Sequence, residues 1–431
     1  MKRLIENDLL NWKNKVNHKP LVIFGARQVG KTFTIKTFAK ENYNDFVVFN
    51  FQNNKPLQEI FSLDMNTKRI IEELERLSLK KITEKTLIFF DEIQDCSSAI
   101  TSLKYFYENA PQYNIISAGS LLGVAINRKG YSFPVGKVSK ITMRPMNFYE
   151  FLIALNEEPL ADLIQDCFNN DRTIPENHHE HALSLYRTYL IVGGMPEAVQ
   201  EYLNTKDFDF VRIIQNQILS DYADDSTKYI ETKNDATRIV AIYNSIPYQL
   251  ARENKKFQYS LVNSSARATS YEFGLYWLIE AGLVNKTLKV NEGKNPLHSY
   301  VNALSYKIYL NDVGLLTSKS NLAPILILSD NFGGEYKGAL TENYVSQQFV
   351  FNEFIPYFWE SNGTAELDFV LQNKDEILPI EVKASDNVKA KSLTTFIKKY
   401  DIKKSIRISS KNFGFENNIK SVPLYAVWCI K

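Results

Sequence analysis

"LVIFGARQVGKTFTIKTFAK", residues 21–40, divides into three parts. Leu21 to Phe24 is a short apolar run, the pattern of a buried strand. Gly25-Ala26-Arg27-Gln28-Val29-Gly30-Lys31-Thr32 fits G-x-x-x-x-G-K-[ST]. Phe33 to Lys40 has helical spacing, with Ile35 and Phe38 on one side. Strand, glycine loop and helix are the setting in which this motif surrounds phosphates. Glycines let backbone N–H groups turn inward, and the helix presents its positive end to the same anion. The eight residues Gly25 to Thr32 are therefore expected to hold a nucleotide, with Lys31 on the β- and γ-phosphates and Thr32 on Mg²⁺.

"TLIFFDEIQ", residues 86–94, supplies the second half of such a site. A continuously apolar strand suits a parallel sheet covered on both faces, and acids at its carboxyl end lie beside the phosphate loop. Asp91 is expected to support Mg²⁺, and Glu92 to orient or deprotonate the attacking water. A third strand, "YNIISAGS" at 113–120, ends in Ser120, either a sensor of the γ-phosphate or an ordinary turn serine.

With 431 residues the chain exceeds a single core, so several domains are expected. It is 44% hydrophobic and 23% charged, a globular balance, and its sequence has no apolar run long enough to span a bilayer. The amphipathic, acid-containing start "MKRLIENDLLNWKNK" is unlike a signal peptide, so the expected compartment is the cytoplasm and no membrane partner is expected. Cys96, Cys167 and Cys429 are scattered, without metal spacing, and read as reduced and structural. A net charge of +2 supplies no whole-chain field for nucleic acid, so any such site must be a local patch.

Along the chain, residues 1–150 alternate strands (20–25, 46–51, 86–91, 113–118 and about 137–143) with helices, an α/β core. Residues 151–232 read as a helical lid broken by a polar loop, "NNDRTIPENHHEH", with "GGMPEAV" at 193–199 where one helix ends and the next begins. Residues 233–299 carry three helical patterns and the β-like "GLVNKTLKV", suggesting a winged-helix-like unit. From 300 to 431 the texture is mixed α/β: "SYKIYL" a strand, "KGALTENYVSQQFVFNE" a helix, "AELDFVLQ" and "ILPIEVKAS" strands, then a helix at 389–400 and strands "KSIRIS" and "LYAVWCI".

The C-terminal part contains a second constellation. If "LQNKDEI" is the turn of a hairpin, a register that pairs Leu371 with Leu378 also pairs Asp368 with Glu381. Opposed residues have Cβ atoms ~4.5–5.5 Å apart, and Lys383 shares the face of Glu381 because strands have period two. Two carboxylates and an ammonium, with Glu342 from the preceding helix, form a grouping able to bind Mg²⁺ or Mn²⁺ and to act on a phosphodiester. The alternative is a solvated strand face of surface ion pairs. The order of elements and D-x(n)-E-x-K resemble the restriction-endonuclease-like fold.

Other residues leave both readings open. His178, His179 and His181 are either metal ligands or part of a solvated loop. Arg252, Lys255, Lys256 and Arg267 either meet DNA phosphates or form a plain charged face. "KKYDIKKSIRISSK" is a phosphate rim or a solvated helix end, and Arg128 or Lys137 would be the cation able to reach a neighbouring subunit's nucleotide.

Taken together, "KPLVIFGARQVGKT", "FFDEIQ", "SAGSLLGVA", "SFPVGKV", "RPMNFYEFL", "VGGMPEAV", "ARENKKFQYSLVNSSARA", "WLIEAGLV", "KIYLNDVGLL", "KGALTENYVSQQF", "AELDFVL" and "PIEVKAS" resemble a bacterial and archaeal family. Its members join an AAA-type P-loop ATPase core to a C-terminal region of unknown function, with a winged-helix part and an endonuclease-like end. The resemblance implies ATP and Mg²⁺ at Gly30, Lys31, Thr32, Asp91 and Glu92, and endonuclease-like roles for Glu342, Asp368, Glu381 and Lys383. The biology the resemblance implies is not specific; the function expected from the two sites is an ATPase that couples nucleotide state to a domain acting on DNA, and the alternative is an ATP-controlled module that binds DNA or a protein without cutting. A protein-remodelling ATPase is a third reading. A homo-oligomer or an unidentified protein partner is compatible with each.

Overall fold

The computed structural model describes residues 1–431 apart from 121–122, 124–132, 229, 231, 265, 362–364 and 385–390. Two compact units emerge, one of Lys2–Arg144 with Glu280–Gly282, the other of Met1, Pro145–Ile279 and Leu283–Lys431.

The first unit is an α/β layer structure around five parallel strands: β1 (Leu21–Phe24), β2 (Asp45–Asn50), β3 (Thr86–Asp91), β4 (Asn114–Ala118) and β5 (Ser139–Thr142). Their order is β2-β3-β4-β1-β5. All neighbouring pairs are parallel. The five expected strands thus stand within a residue or two of their sequence positions. β3 is buried at every residue, as its unbroken apolar run requires. Its Phe90 packs edge-to-face on Phe51 and Phe61 in a core that also takes Leu57, Ile70 and Leu103. After β1 comes the helix Lys31–Asn42, which buries Ile35 and Phe38 as its spacing predicts. With β4 between β1 and β3, the loop after β1 and the acids ending β3 open on one edge, where ligands bind in such sheets.

The second unit begins with helices, among them Glu176–Val192, Pro196–Thr205 and Phe208–Lys228. The segment read as a polar loop is helical from Glu176, so His178, His179 and His181 stand on a helix. The physical reason is Pro175, which sits at the helix N-cap, followed by a helical stripe of Ala182, Leu183 and Tyr186 that is buried. The helix ends at Gly193 (φ 72°, ψ −163°), a conformation essentially reserved for glycine, and Pro196 starts the next, as "GGMPEAV" predicts.

Helices Lys233–Leu250, Tyr259–Val262 and Ala268–Glu280 precede a hairpin of β6 (Val284–Val290) and β7 (Val301–Leu310). That hairpin is continuous with the C-terminal strands in an eight-stranded sheet whose other members are β8 (Tyr357–Glu360), β9 (Glu366–Asn373), β10 (Glu376–Val382), β11 (Ser405–Ser409), β12 (Gly414–Glu416) and β13 (Ile419–Pro423). The order is β12-β13-β11-β10-β9-β8-β6-β7. A boundary at 299/300 falls inside this sheet. Helix Gly334–Phe351 is buried over Ala339–Phe349, polar residues included, because those residues serve backbone groups. Asn343, for instance, accepts from Leu310 N–H at 2.8 Å and donates to its carbonyl at 3.1 Å. "LYAVWCI" is a buried 3₁₀ helix, Leu424–Cys429, where a strand is expected. Its side chains are apolar on every side, so burial all round satisfies them without a ladder, and periodicity alone cannot separate the two. No helix among the described residues is long and apolar enough to cross a membrane.

Candidate nucleotide site and C-terminal acidic residues

In the first unit the loop Gly25–Gly30 leads from β1 into the helix that starts at Lys31. Gly25 (φ 142°) is required there: a Cβ would lie 2.1 Å from the Met143 carbonyl oxygen. Lys31 is buried and donates to the carbonyl oxygens of Gly25 (2.9 Å) and Ala26 (2.7 Å). Burial lowers its pKa to about 8, with Arg27 adding to the fall and Glu92 and Asp91 opposing it. Thr32 Oγ1 donates to both carboxylate oxygens of Asp91, at 3.0 and 3.1 Å. Burial, and then the Glu92 carboxylate, raise the pKa of Asp91. A hydroxyl and a carboxylate in contact, with a second carboxylate beside them, fit a hard divalent ion such as Mg²⁺.

Glu92 occupies left-handed backbone (φ 50°) at the end of β3. Its Oε2 accepts from Gln94 Nε2 and from Ser120 Oγ at 3.3 Å. Ser120, weighed in the sequence as a phosphate sensor or a turn residue, is thus a hydrogen-bond partner of the acid. Gln94 was missed by sequence reasoning; its signal was its place two residues beyond the acid, on the same turn. Of the two candidate cations, Lys137 is paired with Glu108 at 2.8 Å, and Arg128 lies outside the described residues.

In the second unit, β9 and β10 pair with Leu371 opposite Leu378, the register that also sets Asp368 opposite Glu381. Asp368 Oδ2 accepts from Val382 N–H at 2.8 Å. Lys383 pairs with Glu381 Oε1 at 2.7 Å, while Glu381 Oε2 is buried without a hydrogen bond. Glu342 does not join these two in a common ligand set. Its Oε1 is paired with Lys255, and its Oε2 faces Lys307 Nζ at 3.4 Å and Tyr309 OH at 3.0 Å. Lys307, 1% exposed, is held by Glu366 at 2.6 Å. Burial works to raise the pKa of Glu342, but Lys307 and Lys255 outweigh it and bring it down to about 2. Asp368 moves the other way, to about 7, through burial and the nearby Glu342. Lysine ammoniums therefore occupy Glu342, and the residues as arranged do not fit a divalent ion held by Glu342, Asp368 and Glu381 together.

Two of the four basic residues considered for DNA are likewise engaged: Lys255 with Glu342 and Lys256 with Glu360 at 2.5 Å. Among the described residues, Glu176, His179 and Glu180 bring one ligand atom each within 4.8 Å of one another. His179 is buried, with Nδ1 at 2.8 Å from Tyr425 OH.

The first unit carries an AAA-type domain with a P-loop motif at residues 25–32. Residues 17–152 match the family model described as an AAA domain. Residues 183–325 match the domain of unknown function DUF8612, and residues 337–427 the domain of unknown function DUF4143. Among solved structures the chain is similar to the Walker-type ATPase PABY2304 of Pyrococcus abyssi, at 15% identity and TM-score 0.44, covering 73% of this chain and 94% of that one. It is similar to the ORC2 protein of Aeropyrum pernix, at 13% identity and TM-score 0.38, covering 77% and 94%. It is also similar to AMPPCP-bound DnaA from Aquifex aeolicus, at 11% identity and TM-score 0.30, covering 65% and 89%. No functionally curated protein matches the chain.

Proposed function

We propose that this protein hydrolyses ATP and uses its nucleotide state to control an endonuclease-like unit that engages DNA. The observation that carries the first half is the group of Lys31, Thr32, Asp91 and Glu92 at one edge of the parallel sheet, with Thr32 and Asp91 already in contact. Magnesium, when bound with ATP, supplies charge neutralisation on the phosphates. Lys31 exchanges its two carbonyl partners for phosphate oxygens. Glu92 orients the attacking water and accepts its proton once the Gln94 and Ser120 bonds give way.

The division into core (1–150), helical lid (151–232), winged-helix-like segment (233–299) and endonuclease-like part (300–431) belongs to this reading, as do the roles of Asp368, Glu381 and Lys383. A second reading, in which the endonuclease-like part binds DNA or a protein without cutting, is favoured by one observation: Glu342 is neutralised by lysines. The test is incubation of linear and supercoiled DNA with the protein and Mg²⁺ or Mn²⁺, with and without ATP, beside Glu381→Ala and Lys31→Ala. Metal-dependent cutting lost in Glu381→Ala supports the first reading. Intact DNA with nucleotide-dependent binding supports the second, and ATP hydrolysis that survives Lys31→Ala removes both.

A further inference from the structure

The helix Glu176–Val192 opens on "ENHHEH", and its three histidines have different surroundings. His181 is paired with Glu157 at 2.8 Å, and His178 Nδ1 lies 3.0 Å from Asn177 Oδ1, both exposed. His179 is 6% exposed. With 3.6 residues per turn, Glu176, His179 and Glu180 (i, i+3 and i+4) share one face of the helix. Each brings one ligand atom within 4.8 Å of the other two. Among the described residues neither carboxylate has an ion pair or a hydrogen bond, in contrast to Glu342 with its lysines.

Acids at the start of a helix are ordinary, because the N-terminus favours negative charge. The buried imidazole beside them is not explained that way. Its Nδ1 is 2.8 Å from Tyr425 OH, and the two rings meet edge-to-face with centroids 5.5 Å apart. Tyr425 comes from the buried 3₁₀ helix Leu424–Cys429, 246 residues along the chain. Burial, with Cys167 and Glu176 adding to it, raises the Tyr425 pKa, so its hydroxyl keeps its proton. A ring fastened from behind, with Nδ1–H donating to an oxygen, presents the Nε2 lone pair; this is how proteins orient a metal-ligating histidine. Imidazole with two carboxylates suits Zn²⁺, whereas Mg²⁺ prefers oxygen ligands alone. Four-coordinate zinc at ~2.1 Å from each ligand sets the ligand atoms ~3.4 Å apart, so a closure of at most ~1.4 Å remains. Both glutamates are exposed and can make it without disturbing the core.

We infer that Glu176, His179 and Glu180 form a zinc site, with His179 as the fixed ligand and the two glutamates closing on the ion. Two negative charges outweigh the positive end of the helix, and three protein ligands leave a fourth position to water. Tyr425 is a positioning residue that sets the tautomer of His179 and does not touch the ion. Through it the ion fastens the first turn of the helix to Leu424–Cys429, so binding also stabilises the fold. The site uses none of the residues of the nucleotide site or of the Asp368–Glu381 hairpin, and it stands or falls apart from the function proposed above.

The experiment is a Zn²⁺ titration of the full-length, nucleotide-free chain against a chromophoric chelator, in millimolar Mg²⁺ to compete at all-oxygen sites. Wild type is expected to bind one Zn²⁺ per chain. Glu176→Gln and Glu180→Gln should each weaken that binding by roughly tenfold or more, His179→Gln should abolish it, and Tyr425→Phe should weaken it by roughly 10–100-fold. His178→Gln and His181→Gln should bind as wild type does. Both glutamates are exposed, so their variants are expected to melt as the metal-free wild type does, and they decide the outcome if His179→Gln fails to fold. No stoichiometric Zn²⁺ in wild type overturns the site. So does binding that both glutamate variants retain within about twofold, or that is lost in His178→Gln or His181→Gln, since either result places the ion on the surface histidines. Wild-type affinity in Tyr425→Phe overturns the positioning role.

Discussion

Lys31 and Lys307 are both buried ammoniums, one in each unit, and their surroundings are opposite. Lys31 is held by two neutral carbonyl oxygens, and burial depresses its pKa to about 8. Lys307 is held by two carboxylates, which outweigh its burial and keep its pKa well above the ordinary value. A cation solvated by carbonyls retains its attraction for an incoming anion. A cation already matched by carboxylates has little left for a ligand and acts as structure. The first unit is thus built around a charge kept in reserve, and the second around charges that cancel.

The largest effect that separates the two is on turnover. Lys31→Ala is expected to lower ATP hydrolysis by roughly 10³-fold, the scale of removing a charged stabiliser of a transferring phosphoryl group. Lys307→Met should leave the hydrolysis rate of the folded chain within about twofold. Glu92→Gln should resemble Lys31→Ala in turnover but retain ATP binding, measured with a fluorescent analogue. Retained turnover in Lys31→Ala would break the comparison at its first member.

Stability should show the reverse. Lys307→Met removes one of the two ammoniums on Glu342 and the partner of the half-exposed Glu366, and breaking a buried pair from one side costs about 3–5 kcal/mol, an upper bound here because Glu342 keeps Lys255. Lys31→Met deletes an ammonium whose desolvation outweighs the attraction of Glu92 and Asp91, so denaturant unfolding should show unchanged or higher stability. If both substitutions destabilise alike, the distinction between reserved and cancelled charge is wrong. A smaller effect is expected at Gln94. Its replacement by Ala frees Glu92 from one of two bonds and should change the hydrolysis rate by less than about tenfold, against the larger loss in Glu92→Gln.

These contrasts explain what was legible in the sequence. The phosphate loop is local: Gly25 to Thr32 are consecutive, and the turn that carries them is formed by their own backbone. The Asp368–Glu381 register was legible for a similar reason, since a two-residue turn at Lys374 and Asp375 joins the strands and fixes every pair along them. Lys307 and Lys255 were not. They reach Glu342 from 35 and 87 residues away, on an edge strand and an irregular stretch, and neither distance leaves a mark in composition or period. His179 was hidden differently: in "NNDRTIPENHHEH" the polar residues masked a helix whose buried face is visible only through the residues after it. "LYAVWCI" failed because an apolar run carries no periodicity at all.

The smallest expected effect is a pH dependence that runs in opposite directions for folding and for binding. The folded pKa of Lys31, about 8, lies below its ordinary 10.5. Between those values the unfolded chain binds more protons than the folded one, so this residue's contribution to stability rises as pH rises from about 8 to about 10.5. A phosphate placed against the ammonium raises its pKa again, so the nucleotide complex binds the proton more tightly than the free protein does. ATP affinity should then be flat below pH 8 and fall above it, by at most tenfold per pH unit. The phosphate's own titration, near pH 6, lies outside that window. The increase in melting temperature caused by ATP should accordingly shrink between pH 8 and 9.5, while the melting temperature of the nucleotide-free chain loses the Lys31 penalty. Lys31→Met should abolish both trends, and an ATP affinity that stays level through pH 9.5 in wild type would mean that the ammonium is not the group the phosphates meet.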